Sequence, residues 1–125
     1  MKNIEFEQLV LFHEKIVAKT GGGSGVRDEG LLKSALCRGS MTFGGMDLYT
    51  PDERKIAAIT HSLICNHGFL DGNKRIGVAV MSLLCKMNSI VLVYTQQELI
   101  ALGLAIANGN KNEEEIFEWI VSHKN

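Results

Sequence analysis

Residues 76–87, Ile-Gly-Val-Ala-Val-Met-Ser-Leu-Leu-Cys-Lys-Met, are apolar on nearly every side if they form a helix. Such a helix offers water no face and has to lie inside the molecule, so the rest of the chain must wrap around it. The alternation of Ile76, Val78 and Val80 also fits a strand, but the length of the run and the capping residue before it favour a central helix. The run is too short to span a bilayer. A chain of 125 residues corresponds to one domain, residues 1–125, with a single core.

The residues before this run break a local rule. Asn73 is placed to cap the helix, which puts Lys74 and Arg75 in its first turn. That end already carries free N–H groups and the positive pole of the helix dipole, and each exposed cation there costs roughly 0.3–1 kcal/mol. An anion reverses the sign. Gly72 lets the backbone approach a ligand, the helix end supplies donors, and the two cations supply charge, which together make a phosphate cradle. By itself Gly-Asn-Lys-Arg reads more readily as a solvated turn. The residues just upstream favour chemistry. Histidine is the side-chain type whose ordinary pKa lies near neutrality, so His67 can take a hydroxyl proton beside a bound phosphate. Asp71 supplies a carboxylate of the kind magnesium combines with phosphate oxygens. Phe69, between them, points inward to anchor the loop.

The stretch His67-Gly68-Phe69-Leu70-Asp71-Gly72-Asn73 resembles the signature of the Fic/Doc superfamily, His-x-Phe-x-Asp/Glu-Gly-Asn followed by a basic tail. Lys74, where the nucleotidyl-transferring Fic branch has glycine, is similar to the Doc (death on curing) branch. The resemblance covers nearly the whole chain, through the glycines before Val26-Arg27-Asp28, Leu31-Leu32 with Ser34-Ala35-Leu36, the turn Thr42-Phe43-Gly44-Gly45 ending at Tyr49, and Asn66-His67. Two residues depart from it: Gly68 stands where proline is usual, which would loosen the loop holding His67, and Asn88-Ser89 replaces Asn-Gly.

The resemblance implies a kinase using ATP and Mg2+ to phosphorylate a serine or threonine of a protein, elongation factor Tu being the family's known substrate, with arrest of translation and growth. It makes His67 the general base, Asp71 the magnesium ligand, and Phe69, Gly72, Asn73, Lys74 and Arg75 the nucleotide-binding set. It further implies a cognate antitoxin as partner. Two alternatives remain open at this point: transfer of AMP by a Fic-like route, and a catalytically silent helical module that binds a peptide or nucleotide.

A hydrophobic fraction of 46% with 22% charged residues is ordinary for a globular protein, and a net charge of −1 with scattered cations argues against direct nucleic-acid binding. Nothing calls for a membrane, and the N-terminus lacks the apolar core of a signal peptide. Cys37, Cys65 and Cys85 show no paired spacing and are expected to be buried, reduced thiols of a cytoplasmic protein. His61 and Cys65 share a helical face, but no second pair of metal ligands accompanies them.

Elsewhere, Phe6, Leu9, Val10, His13, Ile16 and Val17 mark a helix over residues 5–19, with His13 on or near its apolar stripe as a packed or partly exposed residue. The stretch Thr20-Gly21-Gly22-Gly23-Ser24-Gly25 reads either as a flexible connector or as backbone shaped for close approach. Asp28 caps a short helix to about residue 37, and Arg27 before it either meets an acidic partner or is solvated. Residues 38–49 form a glycine-hinged flap whose Phe43, Met46, Leu48 and Tyr49 either dock another chain or fold back on the core; in Fic folds such a flap aligns the target peptide. Thr50 and Glu53 read as a capping box with Pro51 at the first helical position, opening a helix to about residue 66 that delivers His67 at its exit. Residues 90–94 suit an extended connector. Thr95 with Glu98 opens a helix to about residue 108, and Asn112 opens a last one to about residue 122. The sum is an all-α bundle of about six helices with a flap loop and a central signature loop and helix.

Overall fold

The computed structural model describes residues 1–125 and contains six α-helices: α1 (Phe6–Thr20), α2 (Glu29–Cys37), α3 (Asp52–Cys65), α4 (Asn73–Met87), α5 (Gln96–Ala107) and α6 (Glu113–Ser122). The only sheet is an antiparallel hairpin of β1 (Thr42–Phe43) and β2 (Met46–Asp47), so the fold is the expected all-α bundle. No helix is long and apolar enough to cross a membrane.

Three starts follow local sequence. Asp28 accepts the N–H of Leu31 at 3.0 Å, Thr95 and Glu98 form a reciprocal capping box, and Asn112 and Glu115 form another. The expected box at Thr50 is absent. Pro51 occupies the cap of α3 without a side-chain bond. Glu53 is buried instead and accepts from Lys124 at 2.6 Å, so its carboxylate serves the closing of the C-terminus and not the first turn of the helix.

The centre also differs from the expected one. Helix α4 buries Ile76, Val80, Met81 and Leu84, yet α3 is the more enclosed, with every residue from Lys55 to Thr60 buried. It packs against α2, α4, α5 and α6. The α3–α4 pair approaches closely because Gly77 has no side chain: a Cβ there would lie 2.3 Å from Ile64 Cγ1. A glycine inside a helix costs about 1 kcal/mol against alanine, and the tight seating of Ile64 on the α4 backbone offsets it.

The flap stands away from the core. Gly44 and Gly45 take φ of 60° and 81°, the two left-handed residues that a tight hairpin turn requires. Phe43 and Met46 are 82% and 75% exposed, so these side chains do not fold back. The base of the hairpin is held by Lys55, whose Nζ donates to Gly39 O at 3.1 Å and pairs with Asp47 at 3.0 Å. At the other end of the molecule, the connector pairs with the C-terminus through Val93 N to His123 O (2.8 Å) and Asn125 N to Val91 O (2.9 Å). The cysteines are free, and Cys37 is exposed, contrary to its expected burial. Only Cys85 is fully buried, and burial pushes its thiol up to about 12.

Candidate active site

Helix α3 ends at Cys65, and Asn66 carries the chain into His67, whose φ of 51° lies in the left-handed region. Histidine is among the non-glycine residues that tolerate this conformation. What holds it is Arg27. Its Nε donates to His67 O at 2.5 Å and its Nη2 to Asn66 O at 3.1 Å, so one guanidinium satisfies carbonyls at the end of α3 and fixes the turn. The backbone around Arg27 reinforces this: the N–H groups of Arg27 and Asp28 both donate to Gly68 O, at 2.8 and 3.0 Å.

Gly68 is buried against Leu32, where an added Cβ would lie 2.3 Å from Cδ2 and 2.6 Å from Cγ. The residue is therefore dictated by space. The loosening expected from the missing proline is opposed by these contacts and by the bonds to its carbonyl.

Phe69 is 1% exposed and stacks on the ring of His13, with centroids 3.7 Å apart. It anchors the loop, as its position between two polar residues suggested, and has no free face for a nucleotide. His13 is itself buried, and its Nε2 donates to Asp71 O at 2.7 Å, so this residue of α1 supports the loop from beneath. Asn73 is not the cap of α4. Its side chain exchanges two bonds with the backbone of Phe69, both 3.1 Å, and Gly72, with φ of 77°, takes the cap position without a side-chain bond.

Helix α4 consequently begins with the N–H groups of Asn73, Lys74 and Arg75 unpaired. Lys74 lies in this first turn and is exposed. These groups open on a depression of about 410 Å³ bordered by His67, Asp71, Gly72, Asn73, Lys74 and Arg75. Of the residues singled out from sequence, only Phe69 does not reach it.

Asp71 and Arg75 also have partners of their own. The Asp71 carboxylate accepts from Gly72 N at 2.7 Å and Gly23 N at 3.2 Å. The Gly23 and Gly72 amides, with the Arg75 charge adding to them, hold it below the usual aspartate value. Arg75 donates to Thr20 Oγ1 and, at 2.6 Å, to Gly21 O, with Nη2 3.8 Å from Asp71. Residues 21–25 therefore form a strap laid against the loop; at Gly22 a Cβ would lie 2.6 Å from Asp71 Oδ2 and 2.7 Å from Arg75 Nη2. Of the two sequence readings, close approach describes them. His61 and Cys65 meet each other at 3.7 Å, and no cluster of three or more His, Cys, Asp or Glu residues occurs.

The supporting residues missed in the sequence are His13, Arg27 and Leu32. His13 had one signal, a polar ring on an apolar stripe; Arg27 and Leu32 lie in stretches that carry the family resemblance, and nothing else separates them from an ordinary loop cation and an ordinary core leucine.

The family model described as Fic/DOC family matches residues 3–85, from before α1 almost to the end of α4. A protein named Toxin Doc from Mycolicibacterium smegmatis is 40% identical over 72 residues, covering 58% of this chain and 55% of that protein. The chain thus spans about half the length of this curated relative. With two thirds of its length matched by the family model, across the helices and loop that build the site, the chain belongs to the Fic/DOC family.

Proposed function

We propose that the chain is a Doc-like toxin kinase that transfers the γ-phosphate of ATP to a serine or threonine hydroxyl of a protein. The observation that carries this reading is the meeting of His67 with three unpaired amides and Lys74 on one depression. An uncapped helix start bearing cations is unfavourable alone and favourable around polyphosphate. The likeness to Toxin Doc supports the toxin assignment, and the family resemblance suggests elongation factor Tu as target, a cognate antitoxin as restraint and the cytoplasm as the place of action.

In this mechanism the unprotonated His67 imidazole takes the proton from the acceptor hydroxyl as its oxygen bonds to the γ-phosphorus. The bond from that phosphorus to the β-bridging oxygen breaks, and ADP leaves. The α4 amides and Lys74 stabilise the charge on the transferring group, and positioning supplies most of the rate. Asp71 would hold Mg2+: an ionised carboxylate has acceptor capacity beyond its two backbone bonds, and its lowered pKa keeps it charged. A single carboxylate fits magnesium, which takes its other ligands from phosphate oxygens and water and neutralises charge developing there. Lys74 also occupies room that AMP transfer would need for the outer phosphates.

The test is incubation with elongation factor Tu and ATP labelled at the γ or, separately, the α position. Label from γ alone, lost in His67→Ala, is expected. Label from α would make the chain an AMP transferase, and growth arrest that survives His67→Ala without labelling would make it a binding module.

A further inference from the structure

Arg75 borders the depression at the start of α4, but its guanidinium is engaged at the exit of α1. It donates to Thr20 Oγ1 and Gly21 O, and its Nη2 lies 3.8 Å from Asp71. Residues 20–24 have few other ties. Thr20 and Gly21 bond back into the last turns of α1, Gly22 and Ser24 make no hydrogen bond, and Gly23 gives its N–H to Asp71 at 3.2 Å. Backbone pairing with the loop begins only at the next residues, with Leu70 N to Gly25 O at 3.1 Å and the bridge between Val26 and Phe69. Outside α1, therefore, this segment is fastened by two charged side chains alone, both of which border the depression. It is exposed throughout and carries no apolar side chain, so lifting it uncovers no core.

We propose that residues 20–24 are a latch on Arg75 that competes with polyphosphate for its guanidinium. The proposal rests on the reading of the α4 start as a polyphosphate cradle and assigns a regulation to that site. With the latch closed, Arg75 gives its donors to a hydroxyl and a carbonyl, both neutral. A phosphate oxyanion is the stronger acceptor, and the planar fork of arginine matches two of its oxygens. When the guanidinium turns to phosphate, the segment loses both of its bonds to Arg75 and only the Gly23 N–H still holds it. Asp71 draws Arg75 toward the closed position, so a magnesium ion on that carboxylate would weaken the hold. Opening and polyphosphate binding are thereby coupled: the latch lowers the apparent affinity by the fraction of molecules in which Arg75 is free of it, and weakening the latch raises that affinity.

The experiment follows amide hydrogen exchange by NMR in the wild type, with and without inorganic tripolyphosphate and Mg2+. Exchange at Lys74 and Arg75 is expected to slow as their amides meet the anion, and exchange at Gly23 to quicken as the latch opens. Calorimetric titration with the same probe then compares Thr20→Val, which removes one acceptor of Arg75, and Gly22→Ala, whose new methyl would strike both Asp71 and Arg75. Circular dichroism and a melting curve establish that each variant is folded. Each is expected to bind tripolyphosphate about three- to tenfold more tightly, at or below the effect of one hydrogen bond to a charged group because these residues are exposed. Slower exchange at Lys74 and Arg75 with Gly23 unchanged or slowed overturns the latch and leaves the cradle standing. Unchanged or weaker binding by the folded variants does the same, weaker binding meaning that the segment aims Arg75 at phosphate. Should a variant not fold, the exchange measurement on the wild type decides. Failure of the wild type to bind tripolyphosphate removes the cradle, and the latch with it.

Discussion

Replacement of Gly68 tests the packing of the signature loop with a sign as well as a size. The residue is not among those with positive φ, so alanine meets no backbone penalty there. At such a position Gly→Ala ordinarily stabilises by about 0.4–1 kcal/mol, because it restricts the unfolded chain. Here the new methyl would sit 2.3 Å from Leu32 Cδ2 and 2.6 Å from Cγ, and Leu32, 1% exposed, has no open space into which to swing. Overpacking of this kind costs about 1–3 kcal/mol. Gly68→Ala is therefore expected to destabilise, and Gly68→Pro, bulkier still, to destabilise more, although proline is the residue the family resemblance leads one to expect. Leu32→Ala alone should cost about 2–5 kcal/mol as a buried cavity. The double variant Gly68→Ala/Leu32→Ala should cost less than the sum, with a coupling of about 1–3 kcal/mol, because the cavity accepts the methyl. Urea denaturation of the four proteins with a common m-value measures this. A stabilising or neutral Gly68→Ala, or strict additivity with Leu32→Ala, would refute the steric argument.

Three further outcomes are expected. Arg27→Ala should lower the rate of phosphate transfer by about 10- to 100-fold while leaving the KM for ATP unchanged, because it releases the turn that aims His67 and touches no nucleotide; an equal effect on KM would count against a positioning role. Asp71, whose folded pKa lies below its ordinary 3.8, contributes stability that is complete above about pH 5 and is lost as pH falls through that value and below. Melting temperatures from pH 6 to 3 should accordingly fall less steeply in Asp71→Asn than in the wild type. Ser89 has φ of 61°, so Ser89→Gly should stabilise by about 0.5–1 kcal/mol in thermal or urea unfolding, the relief of left-handed backbone exceeding the entropy that glycine loses.

What the sequence determined by itself is the local part of this protein. Apolar spacing of three and four defines the helices, and the caps at Asp28, Thr95 and Asn112 form as written because each involves an acceptor and an amide three residues apart. His67, Asp71, Gly72, Asn73, Lys74 and Arg75 were legible as one group for the same reason: a short loop entering a helix cannot scatter them. Tertiary structure decided the work each side chain does. Asn73 ties the loop at Phe69, Glu53 meets Lys124 across the molecule, and Arg75 reaches the end of α1. Arg27 holds His67 from 40 residues away, and His13 supports Asp71 from 58 away. Side chains of this kind have several local partners of similar energy in an unfolded or isolated segment. Only the packing of α1, α2 and α3 around the loop brings the distant carbonyls and rings within reach and shuts out the water that would otherwise compete for them.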